Sequence, residues 1–524
     1  MKKDLKNYLI NLIFPAIIFG STTGILTGAI VMLYKFCASH IIHLSEKGYA
    51  LLKENLIFVP FVLAGLLGLS FLVVFIHKKA PNLRGGGIPT SIAVLRGIIT
   101  FKWLRNLIGV FFLSLVSFLI GVPLGNEGPS VQMGTAIGSG TVSTMAKTHK
   151  AWNRYSMTGG ACAGFAVATG APISGIMFAV EEAHQRISPM IIMVSSISVL
   201  FANITAEILS PILGVSTSLF PKMEIVSLSL KNIWIPIIIG VVMGLFAVIF
   251  LNYYKLLKNL FNTHLKKIPH AVKIFAIFTV TLLLGLLSQS YISTGHEVIM
   301  SLFDGNIAII TLLLILVIRT TLTLCANTNR ITGGMFIPLL AIGAVLATLI
   351  EKSLTAIFGL SGQFHSVILV LGITACIAAL MKMPITAIIF AVEVLGCYEN
   401  IIHVIIVAAT AYILTEIFDV MSINDTVVEE RFEELAVSHQ SKVIDTCVTI
   451  QKDSFAVGKQ IRDIFWPPSL FVLSLKHAEN NNQKATKHKG NGIQEGDILH
   501  IRYTTFDEER TTDELEAIVG VQEK

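Results

Sequence analysis

The sequence predicts an all-α, polytopic membrane protein built from two related halves with broken helices, followed by a small α/β domain. Three observations support this fold class. The 524 residues are 53% hydrophobic and 14% charged, with a mean hydropathy of +0.74, whereas soluble chains carry roughly 25% charged residues. Apolar stretches long enough to cross a bilayer recur along the chain. Two segments, one in each half of the sequence, are clearly related to each other.

Nine stretches are long and apolar enough to span a membrane as helices. They cover residues 8–34, 55–76, 104–124, 188–213, 233–251, 272–288, 306–325, 336–350 and 400–418. Shorter or glycine-interrupted stretches at 130–145, 159–180 and 366–394 lie among them, which is typical of transporters with discontinuous helices. The apolar stretch after the basic N-terminus is too long for a signal peptide, so we interpret it as a retained first helix.

The repeat joins residues 160–182 to residues 372–394, which are identical at ten of 23 aligned positions. The matches include a proline and the run Phe-Ala-Val-Glu, so chance is a poor explanation. The shared residues Glu181 and Glu393 are interpreted as packing residues, whereas Glu182 has no counterpart in the second half. A carboxylate inside a membrane is functional by default. The sequence alone leaves open whether the halves are parallel or inverted.

The stretch at 121–138 combines a carboxylate with helix breakers in an otherwise apolar region. Gly125, Gly128 and Pro129 end the preceding helix, and Pro129 suits the first turn of a new one. A broken helix in a membrane is tolerated where it is buried in protein or lines a watery cavity. Its free amides and positive dipole end favour an anion. Glu127 would compete with that anion for the same place.

Two further glycine-rich loops have the same character. In the sequence GGMFIP at 333–338, the glycines leave the amides of Met335 and Phe336 free to face an anion. The sequence GGGIP at 85–89 is weak evidence by itself, but three such loops in one membrane chain predict an anion site.

Together these motifs resemble the anion-site signatures of the CLC chloride channel/transporter family. GGGIP at 85–89, GNEGP at 125–129 and GGMFIP at 333–338 are similar to GSGIP, GREGP or GKEGP, and GGIFAP in that family. Their order, their spacing and the internal repeat fit the family over roughly residues 10–425. The resemblance implies a homodimer in which each subunit has its own anion pathway between two inverted halves.

The resemblance also implies roles for individual residues. Glu127 aligns with the gating glutamate, whose carboxylate occupies the outer anion position and swings away when protonated. Glu182 aligns with the internal proton glutamate of the proton-coupled exchangers. The expected anion-binding positions are Gly86, Gly87, Ile88, Met335, Phe336 and Asn424.

Three positions depart from the family pattern. The family's central serine, which hydrogen-bonds the anion, is Gly86 here, and its central tyrosine falls on Asn424. Both hydroxyl ligands are therefore absent, although the amide of Asn424 can donate. Asn126 replaces the usual basic residue beside the gate. A looser inner gate and an altered halide/nitrate preference are expected to follow.

The predicted domains are a CLC-type transmembrane domain at 1–424, with repeats at roughly 10–215 and 230–424, and a tail at 425–524. The tail resembles the TrkA-C domain of potassium-conductance regulators, which implies a cytoplasmic module that senses a small-molecule ligand or dimerises; a passive folded cap is the alternative. Strands are predicted at 470–477 and 497–503, and helices at 427–435, 457–464 and 507–518. The stretch at 479–491 is polar.

Charge and composition indicate how the protein is oriented in the membrane and which kinds of ligand are disfavoured. Residues 1–424 hold 27 Lys and Arg against 15 Asp and Glu, whereas residues 425–524 hold 12 against 18. Basic clusters at 77–79, 147–154 and 255–267 favour cytoplasmic connections, in a protein of the plasma membrane. Loop ends near headgroups explain these clusters better than nucleic-acid binding does. The six cysteines and 14 histidines lack metal-binding spacing, so no metal or other cofactor is predicted.

The sequence supports transport over catalysis. The favoured function is exchange of chloride or a similar anion for protons, because Glu182 is present. The alternative is a passive voltage- or pH-gated chloride channel on the same scaffold, which the substitutions at Gly86 and Asn424 leave open. A membrane enzyme is disfavoured because no partner nucleophile, metal cluster or phosphate loop accompanies the carboxylates. A fluoride exporter is disfavoured because that branch lacks a glutamate at the inner proton position.

Overall fold

The computed structural model describes residues 12–146, 150–221, 223–304, 307–438, 442–467, 469–477, 492–505 and 507–522. Within these residues, ten helices are long and apolar enough to cross a membrane. They are Phe14–Glu54, Leu56–Lys79, Trp103–Ile120, Pro189–Leu213, Leu230–His264, His270–Leu287, Ile309–Thr328, Phe336–Phe358, Gly362–Leu380 and Tyr398–Ile417. The chain is therefore an integral, multi-pass membrane protein. Each of the nine predicted spans corresponds to one of these helices, and the tenth comes from the stretch at 366–394.

Long and short helices follow each other in the same order in both halves of the membrane domain, as expected from the internal repeat. Among the described residues the first half contains α1 (Phe14–Glu54), α2 (Val59–Lys79), α3 (Ile88–Leu95), α4 (Trp103–Ile120), α5 (Glu127–Met145), α6 (Asn153–Thr169), α7 (Pro172–Phe178) and α8 (Pro189–Leu213). The second half contains α9 (Trp234–Asn259), α10 (His270–Leu287), α11 (His296–Asp304), α12 (Ile309–Thr328), α13 (Phe336–Phe358), α14 (His365–Leu380), α15 (Pro384–Glu393) and α16 (Ile401–Ile417). In both halves the third and seventh helices are short.

The repeated segments are broken at the same place. Gly170 ends α6 with a left-handed φ of 70°, a conformation that glycine adopts without strain. Pro172 and Pro384 then begin α7 and α15, where a proline leaves no N–H unpaired. The stretches at 159–180 and 366–394, predicted to be short or interrupted, each contain this break between two helices.

The two halves also cap each other's helices. Glu181 accepts hydrogen bonds from two first-turn amides of α15, at 2.9 and 2.6 Å, and from the Thr386 hydroxyl at 2.6 Å. Glu393 makes the equivalent bonds to the first turn of α7, at 2.7 and 2.9 Å, and to the Ser174 hydroxyl at 2.8 Å. Glu393 ends α15, Glu181 lies in the turn directly after α7, and each reaches the beginning of the other short helix. The two helices therefore run antiparallel, the halves are inverted, and both glutamates are packing residues as predicted.

The tail begins with α17 (Ile423–Ser438), a helix that crosses the domain boundary predicted at 424. A three-stranded antiparallel sheet of order β1-β3-β2 follows, and α18 comes last. The elements are β1 (Lys442–Thr449), β2 (Leu470–Lys476), β3 (Ile498–Thr505) and α18 (Glu508–Val519). The predictions of the last two strands and of the last helix are confirmed within two residues at each end.

One prediction for the tail is wrong, and one strand was not predicted. The helix expected at 457–464 is a series of turns with one short 3₁₀ segment, Ile461–Asp463, because Gly458 adopts a left-handed φ of 80° that a helix does not continue through. The strand β1 was not predicted, since only alternate residues of it face the small tail core. The polar stretch at 479–491 lies outside the described residues, which resume at residue 492.

The tail is docked against the membrane domain next to a short π-helical turn, Ala179–Ala183. The Phe465 ring lies 4.4 Å, centroid to centroid, from the rings of both Tyr155 and His184. The guanidinium groups of two arginines lie over the same ring. The Tyr155 hydroxyl donates to the carbonyl oxygen of Asp463 at 2.5 Å. The tail thus contacts His184, the residue that directly follows the turn carrying Glu182.

Candidate anion and proton site

Three loops of the membrane domain meet at the beginnings of α3, α5 and α13. The Gly125 N–H donates to the Gly334 carbonyl oxygen at 2.6 Å, and the Gly334 N–H donates back to Gly125 at 2.7 Å. The Gly85 N–H donates to the Arg330 carbonyl oxygen at 2.9 Å, and Gly333 donates to Gly85 at 3.4 Å. Because a helix N-terminus presents free amides and a positive dipole end, this junction is suited to an anion.

Glycine is required where the loops touch. Gly87 has a left-handed φ of 74°, and a side chain there would collide with the backbone of Gly128. A side chain on Gly128 would collide with the carbonyl oxygen of Gly86 and lie 2.7 Å from the Gly334 Cα. Gly86 is different, because its φ is not left-handed and a Cβ would have its nearest neighbour, Pro89 Cδ, at 3.5 Å. A side chain would therefore fit at Gly86.

The first amides of α13 are free donors within the described part of the chain. The first hydrogen bond of this helix runs from the Leu339 N–H to the Met335 carbonyl oxygen at 3.0 Å. The N–H groups of Met335, Phe336 and Ile337 consequently have no backbone acceptor among the described residues. Met335 and Phe336 were predicted from the sequence, and Ile337 extends the same row.

At the beginning of α3 the donors differ from those expected. The Ile88 N–H closes a tight turn by donating to the Gly86 carbonyl oxygen at 2.8 Å. The amides of Gly86 and Gly87 have no backbone acceptor in the described segments. Of the three predicted positions on this loop, Gly86 and Gly87 keep a free donor, and the Ile88 amide is already engaged.

Glu127 is completely buried at the first residue of α5. Its carboxylate faces the amides of Glu127 itself and of Ile337. Neither carboxylate oxygen has a hydrogen bond of ordinary geometry within the described residues. A buried carboxylate without such bonds is unfavourable. The carboxylate consequently occupies a place whose amides would also serve a mobile anion.

A buried lysine contributes positive charge to this region. Lys35, in the middle of α1, is 8% exposed, and its ammonium donates to the carbonyl oxygens of Val167 at 3.2 Å and Thr217 at 3.4 Å. Its charge acts on Glu127. The sequence interpretation missed Lys35, although a lysine inside the first apolar helix was a usable signal.

Glu182 is almost fully buried in the π-helical turn, and its partner is Asn424. The Asn424 Nδ2 donates to Glu182 Oε1 at 2.9 Å. The sequence assigned Asn424 to the anion, at the position of the family's tyrosine. The structure instead brings Asn424 into a direct hydrogen bond with Glu182, because the start of α17 lies against the π-helical turn that carries Glu182.

Arg96 fixes the backbone around this pair. Its guanidinium donates to the carbonyl oxygens of Glu182 at 2.8 Å and Ala183 at 3.0 Å, and to the Asp425 carboxylate at 2.7 Å. The residue follows α3 directly, so the loop that supplies anion donors is connected to the turn that carries Glu182. Nothing in the local sequence pattern distinguishes Arg96 from the other basic loop residues.

A basic cavity of about 670 Å³ lies beside the loop at Gly85. Arg84 and Arg330 line it, together with lysines and histidines from the ends of α2, α9 and α10. The nearly buried Arg431 of α17 donates to the Arg84 carbonyl oxygen at 2.5 Å and to the Thr90 hydroxyl at 2.9 Å. Three glutamates of α17 also line the cavity. Since basic groups outnumber acidic ones, the cavity is suited to the approach of an anion.

Comparison with known proteins matches residues 68–416 to the family described as voltage gated chloride channel. The H(+)/Cl(-) exchange transporter ClcA of Vibrio parahaemolyticus serotype O3:K6 (strain RIMD 2210633) is 28% identical over 418 residues, which are 77% of this chain and 87% of that protein. The structure of a slow cyanobacterial Cl-/H+ antiporter is similar with a TM-score of 0.72 at 23% identity, covering 80% of this chain and 98% of that one. A CLC-type fluoride/proton antiporter is similar with a TM-score of 0.64 at 20% identity, over 78% of this chain and 96% of that one.

Proposed function

Since this chain belongs to the voltage gated chloride channel family, the CLC family, we propose that it exchanges chloride or a similar anion for protons. Glu127 is the gating glutamate in this proposal, and Glu182 is the internal proton glutamate. The amides of Gly86, Gly87, Met335 and Phe336 hold the anion. No enzymatic activity is proposed.

One observation carries the proposal. The Glu127 carboxylate is buried at the beginning of α5 without a hydrogen bond of ordinary geometry among the described residues, and it faces the Ile337 amide in the row of free amides that begins α13. A carboxylate and a mobile anion therefore compete for one set of donors. Protonation removes the negative charge that the donors attract, so the side chain leaves and the anion takes its place. Proton and anion movements are coupled because each step requires the other.

The relatives support an exchanger. The ClcA protein is named as an H(+)/Cl(-) exchange transporter, and the likeness to the cyanobacterial Cl-/H+ antiporter concerns the fold. The passive channel that the sequence left open is not favoured by these relatives. Fluoride remains disfavoured, because Glu182 occupies the inner proton position that the fluoride branch of the family leaves without a glutamate. The likeness to the fluoride/proton antiporter concerns the fold alone.

The decisive measurement is proton movement into liposomes that contain the purified full-length protein. A chloride gradient is imposed, and the membrane potential is clamped with valinomycin and potassium. We expect uphill proton pumping by the wild type, and its loss in both Glu127→Gln and Glu182→Gln. Glu182→Gln should retain chloride flux, since only the proton route is removed.

Glu351→Gln is the matched control. Glu351 is a buried carboxylate of α13 that is paired with His365 away from the anion loops, so its loss should leave the coupling ratio unchanged. Chloride flux without proton movement in the wild type would contradict exchange and support a channel. Full pumping by Glu182→Gln would contradict the role of Glu182.

Three finer proposals follow from the family resemblance. We propose a homodimer, a location in the plasma membrane with the tail in the cytoplasm, and a TrkA-C-like tail at 425–524 that binds a small molecule. The ion pair between Lys150 and Asp513, at 3.3 Å, supports the cytoplasmic tail, because it joins a basic connection of the membrane domain to α18. Labelling of Phe471→Cys with a membrane-impermeant maleimide, in intact and in lysed cells, tests the orientation.

A further inference from the structure

The side chain of Asn327 lies where the family's serine hydroxyl is missing. Asn327 belongs to the last turn of α12 and is 5% exposed. A Cβ on Gly86 would lie 3.7 Å from the Asn327 Nδ2 and 3.7 Å from the Gly333 carbonyl oxygen. The amide nitrogen of Asn327 therefore points into the space beside Gly86, between the loop before α3 and the loop before α13.

The backbone does not require glycine at position 86, and the lack of a side chain at Gly86 leaves this space open. Its neighbours Gly85 and Gly87 have left-handed φ values of 88° and 74°, which favour glycine. Gly86 has neither a left-handed φ nor a close contact that a Cβ would violate. The absence of a side chain at this position consequently gives the Asn327 amide access to the anion loop.

The side-chain N–H groups of Asn327 have no strong acceptor among the described residues. Its Nδ2 donates to the Met335 sulfur at 2.9 Å, and a thioether is a weak acceptor. The amide has a second N–H, and the bonds of the described residues include no further acceptor for it. A buried N–H group without a strong acceptor is costly. Met335 is also the residue whose backbone amide begins the row of free donors on α13.

The backbone holds Asn327 in this position. The Arg330 N–H donates to the Asn327 carbonyl oxygen at 2.8 Å, and the Gly85 N–H donates to the Arg330 carbonyl oxygen at 2.9 Å. The turn that ends α12 is thus bonded directly to the loop before α3. The Asn327 side chain therefore lies at the junction of the two loops whose amides are proposed to hold the anion.

We infer that the Asn327 side-chain amide is a direct ligand of the transported anion, taking the part of the hydroxyl that Gly86 lacks. This inference rests on the proposed anion transport. The amide donates a hydrogen bond to a monovalent anion such as chloride or nitrate, and the anion is the strong acceptor that the protein does not supply.

The test measures equilibrium binding of chloride to the full-length protein in detergent by isothermal titration calorimetry. Asn327→Leu removes the donor with little change in size, and it should weaken chloride binding about tenfold, since a hydrogen bond to an anion is stronger than a neutral one. Gly86→Ser returns a hydroxyl to the open space and should restore affinity in the double variant Gly86→Ser/Asn327→Leu. The same variants should change the ratio of chloride to nitrate affinity.

Asn329→Leu is the matched control. Asn329 is equally buried two residues further along, but its Nδ2 donates to the Cys325 carbonyl oxygen at 2.9 Å. This variant should leave chloride affinity within twofold of the wild type. Asn327→Asp is a second test in case the leucine variant does not fold, because it keeps the shape and should weaken chloride binding still further by repulsion.

The outcomes separate this inference from the proposed function. Unchanged chloride affinity in folded Asn327→Leu, or no rescue by Gly86→Ser, would overturn the inference while wild-type binding and proton pumping persist. Absence of both chloride binding and proton pumping in the wild type would overturn the proposed function itself. Equal losses in the Asn327 and Asn329 variants would assign the effect to packing and contradict a ligand role.

Discussion

The bond between Asn424 and Glu182 changes the interpretation of the inner side of the site. The amide donates to the carboxylate at 2.9 Å, so it orients the group proposed to pass protons. Two residues that are 242 positions apart form this pair. Local sequence patterns contain no information about such a contact, which is why Asn424 was assigned to the anion on family position alone.

We expect Asn424→Leu to impair proton transfer more than anion binding. Loss of the donor leaves the buried Glu182 carboxylate without its side-chain hydrogen bond, so proton turnover should fall several-fold in liposomes. Chloride affinity by calorimetry should stay within twofold of the wild type. A tenfold loss of chloride affinity with normal proton turnover would instead support Asn424 as an anion ligand.

Other parts of the site were predictable at the level of single residues. Glu127, Glu182 and the three glycine-rich loops carry their own signals, because a carboxylate or a pair of glycines is out of place in an apolar chain. Lys35 carried the same signal and was passed over. Asn327 carried none, since its importance depends on the empty space beside Gly86, which only the folded chain defines.

At the level of helices, the mutual capping of α7 and α15 is what relates the two halves. Each short helix begins with amides that have no partner in their own helix, and a glutamate from the other half accepts from them. The contact is symmetric in residue type as well as in geometry. The sequence repeat predicted the two helices and left their relative orientation open; the family resemblance implied inverted halves, and the exchange of caps shows the inversion.

Loss of either cap should destabilise the membrane domain by a similar amount. Glu181→Gln and Glu393→Gln each remove charge-assisted bonds to a helix start, at a cost of about 2 kcal/mol each. Thermal unfolding in detergent, followed by tryptophan fluorescence, should show lower midpoints for both variants. The exposed Glu207 of α8 provides the control, because Glu207→Gln should unfold like the wild type. A large effect of one cap variant and none of the other would contradict the symmetric arrangement.

The elements of the tail show which secondary structure a sequence pattern can predict and which it cannot. The strands β2 and β3 were predictable because each contains a run of alternating or apolar residues between polar stretches. The predicted helix at 457–464 failed because a single left-handed glycine, Gly458, redirects the chain. The strand β1 is stabilised by pairing with β3, whose partner residues are 49 to 63 positions away, and its own sequence is only weakly apolar.

For the whole molecule, the docking of the tail is the main feature that composition did not suggest. Phe465 is 5% exposed between Tyr155, His184 and two arginines. The tail therefore contacts the membrane domain through an aromatic cluster rather than through charge alone. The cluster adjoins the turn that carries Glu182, so movement of the tail and movement of that turn are mechanically connected.

We expect Phe465→Ala to release the tail. Loss of a buried aromatic ring costs about 3 kcal/mol or more, so limited proteolysis of the purified protein should remove the tail at least tenfold faster. Phe471→Ala is the control, because Phe471 is 67% exposed on β2 and its loss should not change the cleavage rate. Equal cleavage of the wild type and Phe465→Ala would mean that Phe465 does not hold the tail.

The bridge between Gly125 and Gly334 has a consequence for biogenesis. Glu127 and the amides before α3 come from the first half and the amides of α13 come from the second, so a nascent chain that has inserted only the first half contains Glu127 but no complete site. Such an intermediate lacks the amides of α13, so the anion site is assembled only when the second half folds against the first.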